Sequence, residues 1–73
     1  IVFSSDKKSA KVILHFKQAA MEKTKSIFIA AYNEDGKVVG IRGKTNSVEQ
    51  DLSLFVYSLS GMIQDISVWV EAY

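Results

Sequence analysis

Few side chains in this chain could do chemistry. One histidine, His15, is the only ordinary general base near neutral pH. There is no Cys, which excludes disulfides, thiolate nucleophiles and thiolate metal sites together. A lone histidine is also too little for a His-based zinc site. Any nucleophile–base pair would have to use His15, which sits between Leu14 and Phe16 in an expected helix. No Ser or acid falls three or four positions away to orient it. Paired carboxylates are the other acid–base option. Glu34-Asp35 belong to a turn pattern, however, and Glu49 and Asp51 to an expected helix start. The residues therefore predict no enzyme, no metal and no cofactor.

Binding chemistry has more to work with. Gly40-Ile41-Arg42-Gly43-Lys44-Thr45 ends in Gly-Lys-Thr, yet only Ile41 and Arg42 separate the glycines, so the spacing of a phosphate loop is absent. Gly43 to Asn46 could present amides to an anion at the start of a following helix; a plain strand-to-helix turn is the simpler reading. Lys37, Arg42 and Lys44 fall on one expected strand, and Lys7, Lys8 and Lys11 cluster earlier. Arg42 beside Phe28 and Tyr32 would offer charge and stacking to a nucleic acid. The pI of about 8.2 is only mildly basic, and no nucleic-acid-binding motif is present. A solvated sheet face with edge lysines is the blander alternative.

Seventy-three residues make a single domain, 1–73, whose core is small for its surface. Without disulfides or a metal, oligomerisation is the remaining way to support it. The net charge of +1 hides a division: all nine Lys and Arg stand at or before Lys44, and only Glu49, Asp51, Asp65 and Glu71 come after it. Such halves can complement each other in packing, or mark a basic arm. The chain opens on Ile1 rather than Met, so no targeting signal can be judged there. Leu52 to Val70 approaches transmembrane length, but Gln64 and Asp65 lie inside it, which argues against a membrane span. A soluble, cytoplasmic protein is expected.

The elements are read from periodicity. Ile1–Phe3 is an apolar stub that could be a strand. Ser4, Ser5 and Asp6 offer N-cap oxygens to a helix from about Lys7 to Glu22, with Ile13, Phe16 and Ala20 on one face, Val12 and Ala19 beside them, and Lys23 near its end. Ser26 to Lys44 reads as a β-hairpin with Glu34-Asp35-Gly36 as its loop, so that Ile29 opposes Ile41 and Ala31 opposes Val39. Phe28, Ala30, Tyr32, Val38 and Arg42 then share the opposite face; a one-residue slip would exchange the faces. From Ser47, a long helix is expected. Val48, Leu52, Phe55, Leu59, Met62, Ile66, Trp69 and Tyr73 keep 4–3 spacing, the seam of a helix packed along its length. About 26 helical residues would span roughly 39 Å, whereas a compact domain of this size is about 29 Å across. Either the helix breaks near Ser60-Gly61 or a second chain covers it.

The run IFIAAYNEDGKVVGIRG, leading into an apolar helix, resembles the strand–turn–strand–helix unit of roadblock-type and similar profilin-like modules. The likeness covers about Ile27 to Ile66 and carries over no residue roles. It implies a dimeric adaptor.

The expected architecture is thus α+β, in the order helix, β-hairpin, long C-terminal helix, dimerised through Leu52, Phe55, Leu59, Met62, Ile66 and Trp69. The expected function is that of a non-catalytic, homo-oligomeric protein-binding module (a regulator, adaptor or inhibitor) using Phe28, Tyr32, Arg42 and Lys44. A nucleic-acid-binding regulator is the alternative.

Overall fold

The computed structural model describes residues 1–16 and 24–72. It is built from strands: β1 (Val2–Phe3), β2 (Ser9–His15), β3 (Lys25–Tyr32), β4 (Val38–Ser47), β5 (Asp51–Tyr57) and β6 (Asp65–Ala72). They form two antiparallel three-stranded sheets, ordered β1-β2-β5 and β4-β3-β6. The α+β expectation is therefore wrong: the described residues contain no helix, neither the first nor the long C-terminal one.

The physical reason lies in the faces. In β5, Leu52, Leu54 and Val56 are buried while Asp51, Ser53, Phe55 and Tyr57 are exposed, a strict alternation of period two. The 4–3 seam read from Val48 samples both faces of such strands as far as Trp69, and Tyr73 lies outside the described residues. Leu52 is in the core and Ile66 packs against it, but Phe55, Leu59, Met62 and Trp69 are exposed. The helical dimer seam does not exist. Its suspected break is real but divides two strands: the Ser58 hydroxyl donates to the Gly61 carbonyl at 2.6 Å, the Ser60 N–H donates to Ser58 Oγ at 3.1 Å, and Gly61 takes φ 79°.

The same correction applies to the first helix. β2 buries Ala10 and Val12 and turns Lys11, Ile13 and His15 outward, so Ile13 faces solvent instead of a helix seam. Ala19, Ala20 and Lys23 of that expected helix lie outside the described residues. Asp6 does cap a chain reversal, but it is the β1–β2 turn: its Oδ1 accepts from the Ser4 hydroxyl at 2.6 Å and the Lys8 N–H at 3.0 Å.

The hairpin is present as β3–β4. Asn33 N–H donates to the Lys37 carbonyl at 2.9 Å, Asn33 Oδ1 accepts from the Asp35 and Lys37 amides, and Gly36 takes φ 78°. Its register differs from the expected one. Tyr32 pairs with Val38, but Ala31 then pairs with Gly40, skipping Val39 as a bulge. Ala30 consequently opposes Ile41, and Ile29 opposes Arg42. The bulge is functional in the fold, because the freed Val39 carbonyl accepts from the Leu59 N–H at 2.8 Å. One residue on, Gly40 lies directly against the Tyr57 carbonyl. This seam ties the two sheets together. The hairpin leads into β5 instead of a helix, so the likeness to roadblock-type modules ends with the hairpin.

Between the sheets sits a core of Ala10, Val12, Ile27, Ile29, Ala31, Val39, Leu52, Leu54, Val56 and Ile63, with Leu14, Phe16, Ile66 and Val68 at its margin. No helix among the described residues is long and apolar enough to cross a membrane.

Candidate partner-binding face

The outer face of the β4-β3-β6 sheet is where exposed aromatic chemistry concentrates. Alternation along β3 sends Ile27, Ile29 and Ala31 inward and Phe28, Ala30 and Tyr32 outward. Register then decides the neighbours. Phe28 opposes Trp69 on β6 and Gly43 on β4. The two rings lie 5.6 Å apart with planes tilted 47°, a favourable aromatic pairing, yet Phe28 remains 44% exposed and Trp69 52%. Gly43 supplies no side chain on the other flank. The result is an open groove of about 230 Å³, lined among others by Phe28, Trp69, Gly43, Thr45 and Lys44. Exposed Ile41 stands in the next row, opposite Ala30. Asp65 and Glu71, both exposed, mark the two ends of β6 on this face, opposite Tyr32 and Ser26.

The four sequence-chosen partner residues are divided by the register slip. Phe28 and Tyr32 share the outer face. Arg42 pairs with Ile29, which places it on the other side of the sheet from Phe28. Lys44 pairs with inward-facing Ile27, on the same side as Arg42; it borders the groove, and its Nζ donates to Glu49 Oε2 at 3.4 Å. Trp69 and Ile41 are the residues missed for this face. Reading 65–72 with period two would have brought Trp69 to it.

A second aromatic surface lies on the outer face of β1-β2-β5. Phe55 and Tyr57 stack at 6.3 Å with 19° between planes, and Lys11 Nζ stands 6.0 Å from the Phe55 ring centre. Lys7 and Lys8 are at the nearby end, where their carbonyls accept from Ile63 and Ser58. Lys44 is five residues along β4 from Val39, which meets the chain at Leu59, so it lies roughly 17 Å from that end. Lys44 therefore stands apart from the Lys7–Lys8 end.

The catalytic candidates stay thin. His15 does have an acid partner, supplied across the β2–β5 pair: its Nδ1 is hydrogen-bonded to Asp51 Oδ1, and both side chains are largely exposed. Sequence spacing along one helix could not have shown that contact. Among the described residues no group of three or more His, Cys, Asp or Glu could hold a metal. Gly43-Lys44-Thr45 runs within β4, so neither the strand-to-helix turn expected there nor the alternative anion site has a helix to start.

The architecture defines a small all-β module with aromatic outer faces. No family model, no curated protein and no solved structure matches the chain.

Proposed function

We propose that this chain is a non-catalytic protein-binding module whose partner surface is the outer face of β4-β3-β6, centred on Phe28 and Trp69. One observation carries the reading. Among the described residues the buried hydrophobic side chains are Ala, Val, Ile and Leu alone, while Phe3, Phe28, Phe55, Tyr57 and Trp69 are all exposed. Aromatic side chains bury the most area per residue, so a small domain that leaves them outside forgoes its largest source of stability. Aromatic side chains at the centre of a face are also what binding hot spots are made of. Asp65 and Glu71 at the ends of the Phe28–Trp69 face favour a protein over a polyanion there.

A nucleic-acid-binding reading keeps one specific support, the stacked Phe55 and Tyr57 with Lys11 on the opposite sheet. Homo-oligomerisation, no longer grounded in a helix, rests on the exposed Leu59 and Met62 between β5 and β6. A cytoplasmic setting fits the absence of Cys. The test is a Phe28→Ser/Trp69→Ser double variant compared with a Phe55→Ser/Tyr57→Ser variant. The first, still folded by circular dichroism, should lose a protein captured by the wild type; the second should retain it. Retention by the first and a loss of salt-sensitive single-strand binding by the second would favour nucleic acid.

A further inference from the structure

The free strand edges of the molecule are not equivalent. β1 is two residues long, and short edges resist further pairing. β4 carries a bulge and the bases Arg42 and Lys44, and its first half is met by Leu59 and Tyr57; β5, the remaining edge, lies against β4 at that same seam. β6 has none of these protections. It is eight residues long, pairs with β3 in unbroken register from Asp65 to Ala72, and contains no Pro, Lys or Arg. Among the described residues β3 is the only strand hydrogen-bonded to it.

Its charges restrict what can pair there. On the outer face β6 presents Asp65, Ser67, Trp69 and Glu71 in order, fixed by their register with Tyr32, Ala30, Phe28 and Ser26. The acids are six residues apart, about 20 Å along the strand. Edge-to-edge pairing with a second copy would gather four acids and no base on one sheet face, and opposed like charges destabilise a strand pair. A strand bearing bases would be favoured for the same reason.

We infer that the outer edge of β6 takes up an extended segment of a partner protein as a fourth strand, with Lys or Arg side chains opposite Asp65 and Glu71 and an apolar side chain between them beside Trp69. This deepens the protein-binding reading and rests on it. Main-chain hydrogen bonds to β6 supply affinity, and the alternate side chains over the Phe28–Trp69 face supply selectivity.

The probes are capped heptapeptides with Val at the third and fifth positions, Thr elsewhere inside, and either Lys or Glu at both ends. Trp69 is the sole tryptophan, so its emission reports binding directly. The Lys-ended peptide should shift that emission saturably and bind at least tenfold tighter than the Glu-ended one. Asp65→Asn/Glu71→Gln should erase the difference. A Lys-ended peptide N-methylated at alternate amides should lose binding, because it cannot form the ladder. Equal binding of both charges, undiminished binding of the methylated peptide, or no saturable shift at millimolar Lys-ended peptide overturns strand addition. So does light scattering that shows a dimer with β6 amides protected from exchange, since a second copy then holds the edge. The partner-face reading stands or falls separately, on whether Phe28→Ser/Trp69→Ser loses the captured protein.

Discussion

Replacing Gly40 by alanine adds a single methyl group, and its cost can be worked from the contacts. A Cβ at this position would lie 2.4 Å from the Tyr57 carbonyl oxygen, 3.1 Å from the carbonyl carbon and 3.3 Å from Val56 Cγ2. The first two are backbone atoms, so no rotamer change relieves them. The strands must separate by roughly 1 Å to restore ordinary contact. The neighbouring Leu59 N–H to Val39 carbonyl bond, 2.8 Å long, would then stretch beyond useful geometry. Losing it costs about 1 kcal/mol, and forcing a methyl into a packed seam costs about 1–3 kcal/mol. Together that is about 2–4 kcal/mol, against a total stability of about 4–11 kcal/mol for a chain this short. Urea denaturation followed by far-ultraviolet circular dichroism should show a lower midpoint at unchanged slope. Gly43→Ala is the control on the same strand: its Cβ would meet only the Ile27 carbonyl oxygen, at 3.8 Å, and should change stability by less than about 0.5 kcal/mol. If the two variants melt alike, β4 and β5 do not meet closely at Gly40.

Leu59→Asp offers a sharp contrast. In the middle of a helical seam it would unfold the chain, but Leu59 is 93% exposed between β5 and β6, so the variant should keep the monomer fold within about 0.5 kcal/mol of wild type, measured at a concentration too low for association. Leu54→Asp, by contrast, buries a charge in the core and should leave no cooperative unfolding transition. Asp6 has its carboxyl held below the ordinary value by the Ser4 hydroxyl and then by the Lys8 amide. A depressed folded pKa stabilises above the unfolded value and is lost as pH falls through the folded one. The advantage of wild type over Asp6→Asn should therefore be full above about pH 5 and vanish on acidification, as read by thermal melts across that range.

The hairpin was legible because its signals are local. Asn33, Asp35 and Gly36 specify the turn within a few residues, and the β-branched and aromatic run before it has no competing period. The bulge at Val39 was not legible, since nothing within β4 demands it. It exists because Leu59 and Tyr57, some twenty residues away, need a carbonyl and an empty Cβ position. That one-residue displacement moved Arg42 off the Phe28 face and Ile41 onto it. The C-terminal half misled for a different reason. Leu52, Phe55, Leu59, Met62, Ile66 and Trp69 satisfy a 3.5-residue repeat, while Asp51 to Tyr57 satisfy a two-residue repeat over a shorter window. Short apolar runs are ambiguous between the two. The β-branched and aromatic residues and the Ser58–Gly61 turn were the signals that favour strands.

Under the proposed function, the placement of the aromatics separates stability from recognition in this fold. The core is thin: the molecule measures only 14 Å along its shortest axis, little more than the spacing of two packed sheets. Ala10 and Ala31 face inward, Gly40 draws β4 against β5, and Phe16 is the ring that packs at the core's margin among the described residues. The exposed rings need not sit together. Phe28 and Trp69 do, on adjacent strands, with Gly43 open beside them and, next to Trp69, the outer edge of β6 that no described strand pairs. Solubility alone would be better served by charged residues at those positions. Because about half of each ring is already covered by its neighbours, Phe28→Ser should cost about 1–2 kcal/mol and leave the aliphatic core intact. A variant that remains folded but no longer engages its partner is the outcome this division of labour requires.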